Sequence, residues 1–284
     1  MMIQEKDTGY YIRKVLQYVV LILIALGMLL PFWFMFIGVF RTNEQISSAA
    51  IHLWPENGFL YSRNLIVLFQ QGFAINLWNS LFVTVVRTAF TLLFSCMAGF
   101  AFSKLKFPFR NTLFFITVFT LMIPSQIAVI PNYLLMTKMH WLNTYQALII
   151  PGVASGFGIF LMRQYMAAIP DELIDCGRID GMNDWRLLFS VIIPLTQGGL
   201  VVLGIFTTIG VWNDFFWPLI VITKQEMYTA PLRLYSLQST NLYDIVPMGA
   251  ILAGSFISSL PMFIIFIAFR NRMLSGILSG SIKS

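Results

Sequence analysis

Five stretches of this chain contain no Asp, Glu, Lys or Arg: residues 15–40, 111–137, 139–162, 187–213 and 245–269. Each exceeds the ~20 residues that a helix needs to cross a bilayer at ~1.5 Å per residue. A sixth stretch, 76–102, is interrupted only by Arg87. The sequence lacks the ~10-residue alternating segments of an outer-membrane barrel. Composition agrees: 58% of the 284 residues are hydrophobic and 11% charged, against roughly 45–50% and about 25% in soluble domains. The reading is an all-α polytopic membrane protein, one transmembrane domain over 1–284. Its six spans are expected near 15–39, 76–102, 111–135, 143–163, 196–222 and 246–269.

Basic residues set the expected orientation. With a cytoplasmic N-terminus, the inner segments hold Lys6, Arg13, Lys14, Lys104, Lys106, Arg110, Arg163, Arg178, Arg186, Arg270, Arg272 and Lys283. The outer ones hold Arg41, Arg63, Lys138, Lys224 and Arg233. This bias follows the positive-inside rule and puts both termini in the cytoplasm. The net charge of +6 therefore reflects topology, and no nucleic-acid partner is expected. The first apolar run is longer than a signal-peptide core and reads as an uncleaved anchor.

Catalytic signatures are missing from the sequence. It has no Gly-Lys dipeptide and hence no Walker A loop, and neither His-Glu-x-x-His nor Gly-x-Ser-x-Gly occurs. An intramembrane aspartyl protease needs two carboxylates in the membrane, and only Asp214 falls there. Cys96 lies in a span and Cys176 in an inner loop, which suits neither a disulfide nor a thiolate metal site. His52 and His140 read as ordinary loop residues, so no metal is expected.

The segment 164–194 is the most informative. Asp171, Glu172, Asp175, Asp180 and Asp184, five of the twelve acidic residues, crowd into it. Pro170 suits a first helical position, and Asp171 and Glu172 complement the helix dipole. Gly181 is placed to end that helix, with Asn183 or Asp184 capping a second. By these residues alone it is a solvated helical hairpin.

The spacing Asp175-Cys176-Gly177, three residues, Gly181, nine residues, Val191-x-Ile193-Pro194 resembles the EAA loop of ABC-importer permeases. Further phrases resemble the carbohydrate-uptake group of type I importers, to which the maltose permease subunits belong. They are Asn79-Ser80-Leu81, Met122-Ile123-Pro124, Ile130-Pro131-Asn132-Tyr133, Asn143-Thr144-Tyr145, Arg163-Gln164-Tyr165, Ile179-Asp180-Gly181, Trp212-Asn213-Asp214 and Trp217-Pro218-Leu219. There are departures too. Asp175-Cys176-Gly177 replaces Glu-Ala-Ala, and Gly inside a helix costs ~1 kcal/mol relative to Ala, loosening it. His140-Trp141 replaces a small turn, and Arg87 stands where the group is usually apolar.

The resemblance implies a permease of the bacterial inner membrane that docks on two ATPase subunits, which bind ATP and Mg, while this chain binds no cofactor. Leu173, Ile174, Asp175, Gly177, Asp180, Gly181 and Pro194 would belong to that coupling loop, the apolar ones seated in a groove of the ATPase. The remaining partners would be a sister permease forming a heterodimer, an extracytoplasmic sugar-binding protein and membrane lipid. Trp212, Asn213, Asp214 and Trp217, with Gln126 between Pro124 and Pro131, mix aromatic and hydrogen-bonding groups as sugars require. Trp217 equally suits an interfacial belt, and the two prolines suit a kink. Arg87 and Asp214 are each costly in hydrocarbon and fall at similar depth, which suits a pair and equally suits either one facing the sister permease or the substrate. A secondary transporter would share the helices without needing the acidic loop. A glycerol-phosphate permease would share both.

Overall fold

The computed structural model describes residues 8–48, 54–55, 58–60, 62–240 and 246–281; Lys6, His52 and Lys283 lie outside them. The chain divides into two compact units, 1–71 with 234–259, and 72–233 with 260–284. Among the described residues the regular structure is entirely helical.

The first unit starts with α1 (Thr8–Gly38), followed by α2 (Asn43–Ser47) and α3 (Arg63–Gln70). From Tyr10 to Leu30 the large apolar side chains of α1 are exposed, as on a helix meant for lipid or another protein. The carbonyls at and just beyond its C-terminus are collected by one side chain. The buried Asn64 amide donates to the carbonyls of Gly38, Val39 and Arg41 at 3.3, 2.9 and 2.7 Å. Such carbonyls lack partners within the helix and need capping from outside it. A capping box at Thr42 and Gln45 starts α2.

In the second unit the central element is α4 (Phe73–Lys104), 32 residues without a break. It is patterned inside out. Asn76, Asn79, Ser80, Thr84, Thr88, Thr91 and Ser95 are buried, whereas Trp78, Phe82, Val85, Phe90 and Phe94 are exposed. The buried set recurs every three to four residues, which is one helical face. The remaining helices are α5 (Arg110–Thr120), α6 (Val129–Lys138), α7 (Tyr145–Ile149), α8 (Gly156–Ala167), α9 (Asp171–Ile179), α10 (Asp184–Leu187), α11 (Ile193–Leu195), α12 (Gln197–Trp212) and α13 (Phe216–Val221). Two more, α14 (Ala230–Thr240) and α15 (Met248–Ser281), run across the division between the units.

Small residues let α8 and α12 approach closely. A Cβ on Gly99 of α4 would lie 2.8 Å from Met162 Cβ and 3.0 Å from the Arg163 nitrogen on α8. A Cβ on Gly158 of α8 would collide with Ser95 Oγ, and one on Gly199 of α12 would lie 2.6 Å from the Tyr165 ring. Close backbone approach over small residues drives helix association where lipid removes the hydrophobic incentive.

Three helices are long and apolar enough to cross a membrane alone: Gly9–Gly38, Phe73–Lys104 and Met248–Arg270. They contain nearly all of the stretches expected at 15–39, 76–102 and 246–269. Elsewhere single spans give way to bent pairs. Arg110–Thr120 and Ser125–Lys138 meet at 95°, Tyr145–Gly152 and Gly156–Ala167 at 44°, and Asp184–Leu195 and Gln197–Trp212 at 83°. Pro124 is extended at the first bend (ψ 127°) and lacks the N–H to continue a helix. Ile150–Gly152 forms one tight turn before Ser155 Oγ caps α8 through Gly158 N. The stretch 196–222 is interrupted again between α12 and α13 at Asn213-Asp214-Phe215. There the Asn213 amide bonds back to Ile209 O at 2.9 Å, and Asp214 accepts from Trp217 N at 3.3 Å. Short polar side chains of this kind compete with the helical ladder.

Gly99→Leu is expected to destabilise the purified chain by about 1–3 kcal/mol, the usual cost of overpacking. Gly27→Leu, where a Cβ meets nothing within 4 Å, serves as the neutral control. Thermal unfolding in detergent measures both.

Candidate functional site

Three of the helix breaks supply walls to one cavity of about 330 Å³. Ser125, Gln126, Val129 and Asn132 come from the first bend and from α6 beyond it. Pro151 and Gly152 come from the second, and Asp214, Phe216 and Trp217 from the break before α13, with Arg87 reaching in from α4. Irregular backbone at membrane depth is tolerated where it lines a cavity. Arg87 lies on the same face of α4 as Thr84, Thr88 and Thr91, and its Nη1 is 3.3 Å from Asp214 Oδ2. Nη1 also donates to Leu148 O at 3.4 Å. The other Asp214 oxygen holds the Trp217 N–H, and the Trp217 indole donates to Ala147 O at 2.8 Å. A Cβ on Gly152 would collide with the Arg87 guanidinium. Glycine therefore leaves room for the charge to lie against backbone.

A second feature is the hairpin of α9 and α10. Pro170 is the cap rather than the first helical residue (ψ 141°), one position earlier than expected. At the far end Gly181 is left-handed (φ 73°). Met182 N donates to Gly177 O at 2.9 Å and Gly181 N to Arg178 O at 3.0 Å. These two bonds and the left-handed glycine define a Schellman stop. Asn183 Oδ1 then accepts from Arg186 N at 2.8 Å and caps α10. Lys104, at the C-terminus of α4 with a side chain only 4% exposed, ties this hairpin down. Its Nζ lies 2.5 Å from Ile169 O and 2.5 Å from Asp171 Oδ1. That bond, and the positive charge behind it, hold the Asp171 carboxyl below the usual carboxylate range. Ile174 and Leu187 enter the same buried core as Cys96, Met162 and Leu203.

Residues 91–273, well over half of the chain, match the family described as binding-protein-dependent transport system inner membrane component. The chain belongs to this permease family. The permease is 33% identical to the arabinooligosaccharides transport system permease protein of Halalkalibacterium halodurans, over 92% of this chain and 93% of that one. It is 32% identical to the lactose transport system permease protein of Rhizobium radiobacter, over 95% and 96%. At 25% it resembles the sn-glycerol-3-phosphate transport system permease protein of Pectobacterium atrosepticum, over 94% and 96%. Its fold matches that of a bacterial ABC transporter involved in the import of the acidic polysaccharide alginate. The TM-score is 0.79 at 24% identity, over 93% of this chain and 98% of that one.

The residues singled out in the permease sequence fall into two groups. Gln126, Asp214, Trp217 and Arg87 share the cavity. Trp212, only 3% exposed, is buried, and the Asn213 amide is turned back onto its own helix. In the hairpin Leu173, Ile179, Asp175 and Asp180 are exposed, as is Pro194 in α11. Ile174 is 3% exposed, turned into the permease's own core instead of outward to an ATPase. Gly177 is buried as well. A Cβ there would lie 2.5 Å from Leu187 Cδ2, so the glycine is a packing choice rather than a source of looseness. Gly152, Asn132 and Lys104 were missed. The Pro151-Gly152 dipeptide inside an apolar run was the available signal for the first. Among the described residues no group of three or more His, Cys, Asp or Glu is placed to hold a metal.

Arg87→Met and Asp214→Asn should each lower thermal stability, because removing one partner leaves the other charge unpaired. The loss is about 3–5 kcal/mol for a fully buried pair and smaller here, where a fifth to a quarter of each side chain is exposed. The double variant should recover part of it, giving a coupling of at least about 1 kcal/mol in a double-mutant cycle; additive losses would dismiss the pairing.

The Asp171 carboxyl should titrate below ~3.9, the usual aspartate value, in carboxyl-carbon NMR, and Lys104→Met should raise it toward that value. Since the folded value is the lower one, this contribution to stability is full above the unfolded pKa. It is lost as pH falls through the folded one.

Proposed function

We propose that this permease is the subunit of an ATP-driven ABC importer that forms half of the path for a carbohydrate, an oligosaccharide or related sugar. The observation that carries the reading is the cavity. Gln126, Asn132 and Ser125, which carry hydrogen-bonding side chains, line it together with the aromatic Trp217. Sugars ask for both, since their C–H faces pack on rings and their hydroxyls need donors and acceptors. The names of the arabinooligosaccharide and lactose relatives point the same way. The glycerol-phosphate relative raises a phosphate substrate, but Asp214 offsets the charge of the guanidinium that would bind one.

In this reading the six spans of the bacterial inner membrane are the three long helices, the bent pairs at 110–138 and 145–167, and α12 with α13, and both termini are cytoplasmic. Residues 164–194 then face the cytoplasm. Leu173, Asp175 and Ile179 of α9, with Asp180 at its C-cap, are exposed and available to an ATPase groove, while Gly177 and Ile174 anchor the helix from behind. Gly181 fixes its end, and Pro194 lies at the bend leading into α12. Two ATPase subunits bind ATP and Mg, a sister permease completes the pathway, and an extracytoplasmic binding protein delivers the sugar. A secondary transporter would have no use for such a hairpin.

Uptake of neutral oligosaccharides into proteoliposomes holding the whole importer tests this reading; no ATP-dependent uptake across a broad panel would overturn it. Gly181→Val puts a β-branched residue at a left-handed position. It is expected to cut uptake at least tenfold, while ATP hydrolysis either falls with it or continues uncoupled. Normal uptake with normal stimulated hydrolysis would remove Gly181 from the coupling role.

A further inference from the structure

The Arg87 guanidinium borders a second space. A cavity of about 330 Å³ is lined by Arg87, Thr91, Gly152, Ser155, Phe157 and Thr207, among others. Arg87 and Gly152 are thus common to both cavities. In the second, Arg87 is the one charged lining residue among those described. In the first, the charged lining residues are Arg87 and Asp214. The other described residues in both walls are neutral.

The charge at this point is therefore set by a single carboxylate. Asp214 is committed on both sides, Oδ2 to Arg87 and Oδ1 to the Trp217 backbone, so its place is fixed by the start of α13. Arg87 is less fully used. Both of its bonds come from Nη1, and Nε is buried without a partner. A guanidinium has five N–H donors. This one keeps donors for an incoming oxygen while its net charge is cancelled.

We propose that Asp214 is a charge-selectivity residue. By neutralising Arg87 it fits both cavities to an uncharged, hydroxyl-rich substrate and withholds a strong carboxylate or phosphate site that Arg87 would otherwise form. The inference rests on the carbohydrate reading above and narrows it to neutral sugars. The physical reason is that a guanidinium binds carboxylate and phosphate through short charge-assisted bonds, stronger than those to hydroxyls. An internal carboxylate 3.3 Å away competes for that geometry at a permanently high local concentration.

Asp214→Asn tests it, because the amide oxygen can still accept the Trp217 N–H while the negative charge is gone. The whole importer, reconstituted without its binding protein so that delivery does not impose the preference, is titrated with tritiated arabinotriose and with a tritiated uronic-acid trisaccharide. Wild type is expected to prefer the neutral sugar. In the variant the affinity ratio should move at least tenfold toward the uronate, about 1.4 kcal/mol, and the gain should shrink as salt is raised. Should Asp214→Asn fail to assemble, Arg87→Gln leaves the carboxylate uncompensated. It should then shift preference at least tenfold toward a glucosamine trisaccharide. An unchanged ratio in an assembled variant overturns the selectivity role while wild-type uptake of neutral sugars leaves the carbohydrate reading intact. Failure of the complete wild-type importer, binding protein included, to take up any neutral oligosaccharide overturns both.

Discussion

A charge in a low-dielectric interior must have a partner, and much of the second unit is arranged around that requirement. Arg87 cannot be solvated by lipid, so it needs an acceptor at its own level. Asp214 meets that need only because α12 ends one residue before Asn213, turning a carboxylate toward α4. Gly152 completes the arrangement by leaving no side chain where the guanidinium lies. Three chain breaks that each cost helical hydrogen bonds thereby become the walls of one polar chamber. The same breaks would be defects in a bundle built only to be stable.

The partner of this chamber is the inverted pattern of α4. In a soluble helix the apolar stripe faces the core, yet here amides and hydroxyls face inward while tryptophan and phenylalanine face out. Lipid is as apolar as any core, so the inward face is free to carry groups that bond across helices. Asn79 shows what this achieves. Its amide donates to the carbonyls of Glu226 and Tyr228 at 2.7 and 3.0 Å, and its oxygen accepts from the Tyr145 hydroxyl at 2.7 Å. Nearby, Asn143 Oδ1 takes the backbone N–H groups of Thr223 and Lys224 at 2.6 and 2.9 Å. Two phrases that first served only to suggest kinship, around Asn79 and Asn143, hold the connection between α13 and α14 in place.

What the sequence revealed depended on whether the determinant was local. The Gly181 stop and the Asn183 cap were legible because each is decided within five residues of backbone geometry. Membrane crossing was legible because charge-free length is a property of the string itself. The pairing of Arg87 with Asp214 was reachable through the high cost of the alternatives. The bends were not. Hydropathy does not distinguish a straight span from two half-length helices, and Pro151-Gly152 passed unnoticed inside an apolar run. The inward turn of Ile174 and the burial of Trp212 were hidden for a different reason. Each depends on which neighbour covers that face, and a single helix carries no record of it. Lys104 looked like one more positive charge inside the membrane boundary until Ile169 and Asp171 were seen to converge on it.

The unbroken length of α4 has a mechanical consequence. At ~1.5 Å per residue its 32 residues make a rod of about 48 Å, and Arg87 stands near the middle, about 25 Å from Lys104. A tilt of about 10° about that midpoint would carry each end through about 4 Å while leaving the guanidinium almost stationary, by the rise just given. Lys104 holds the hairpin at one end and Asn76 and Asn79 hold the Gln225–Tyr228 segment at the other. In such a tilt the Arg87–Asp214 pair at the midpoint travels least, and the segments that α4 holds at its two ends travel most.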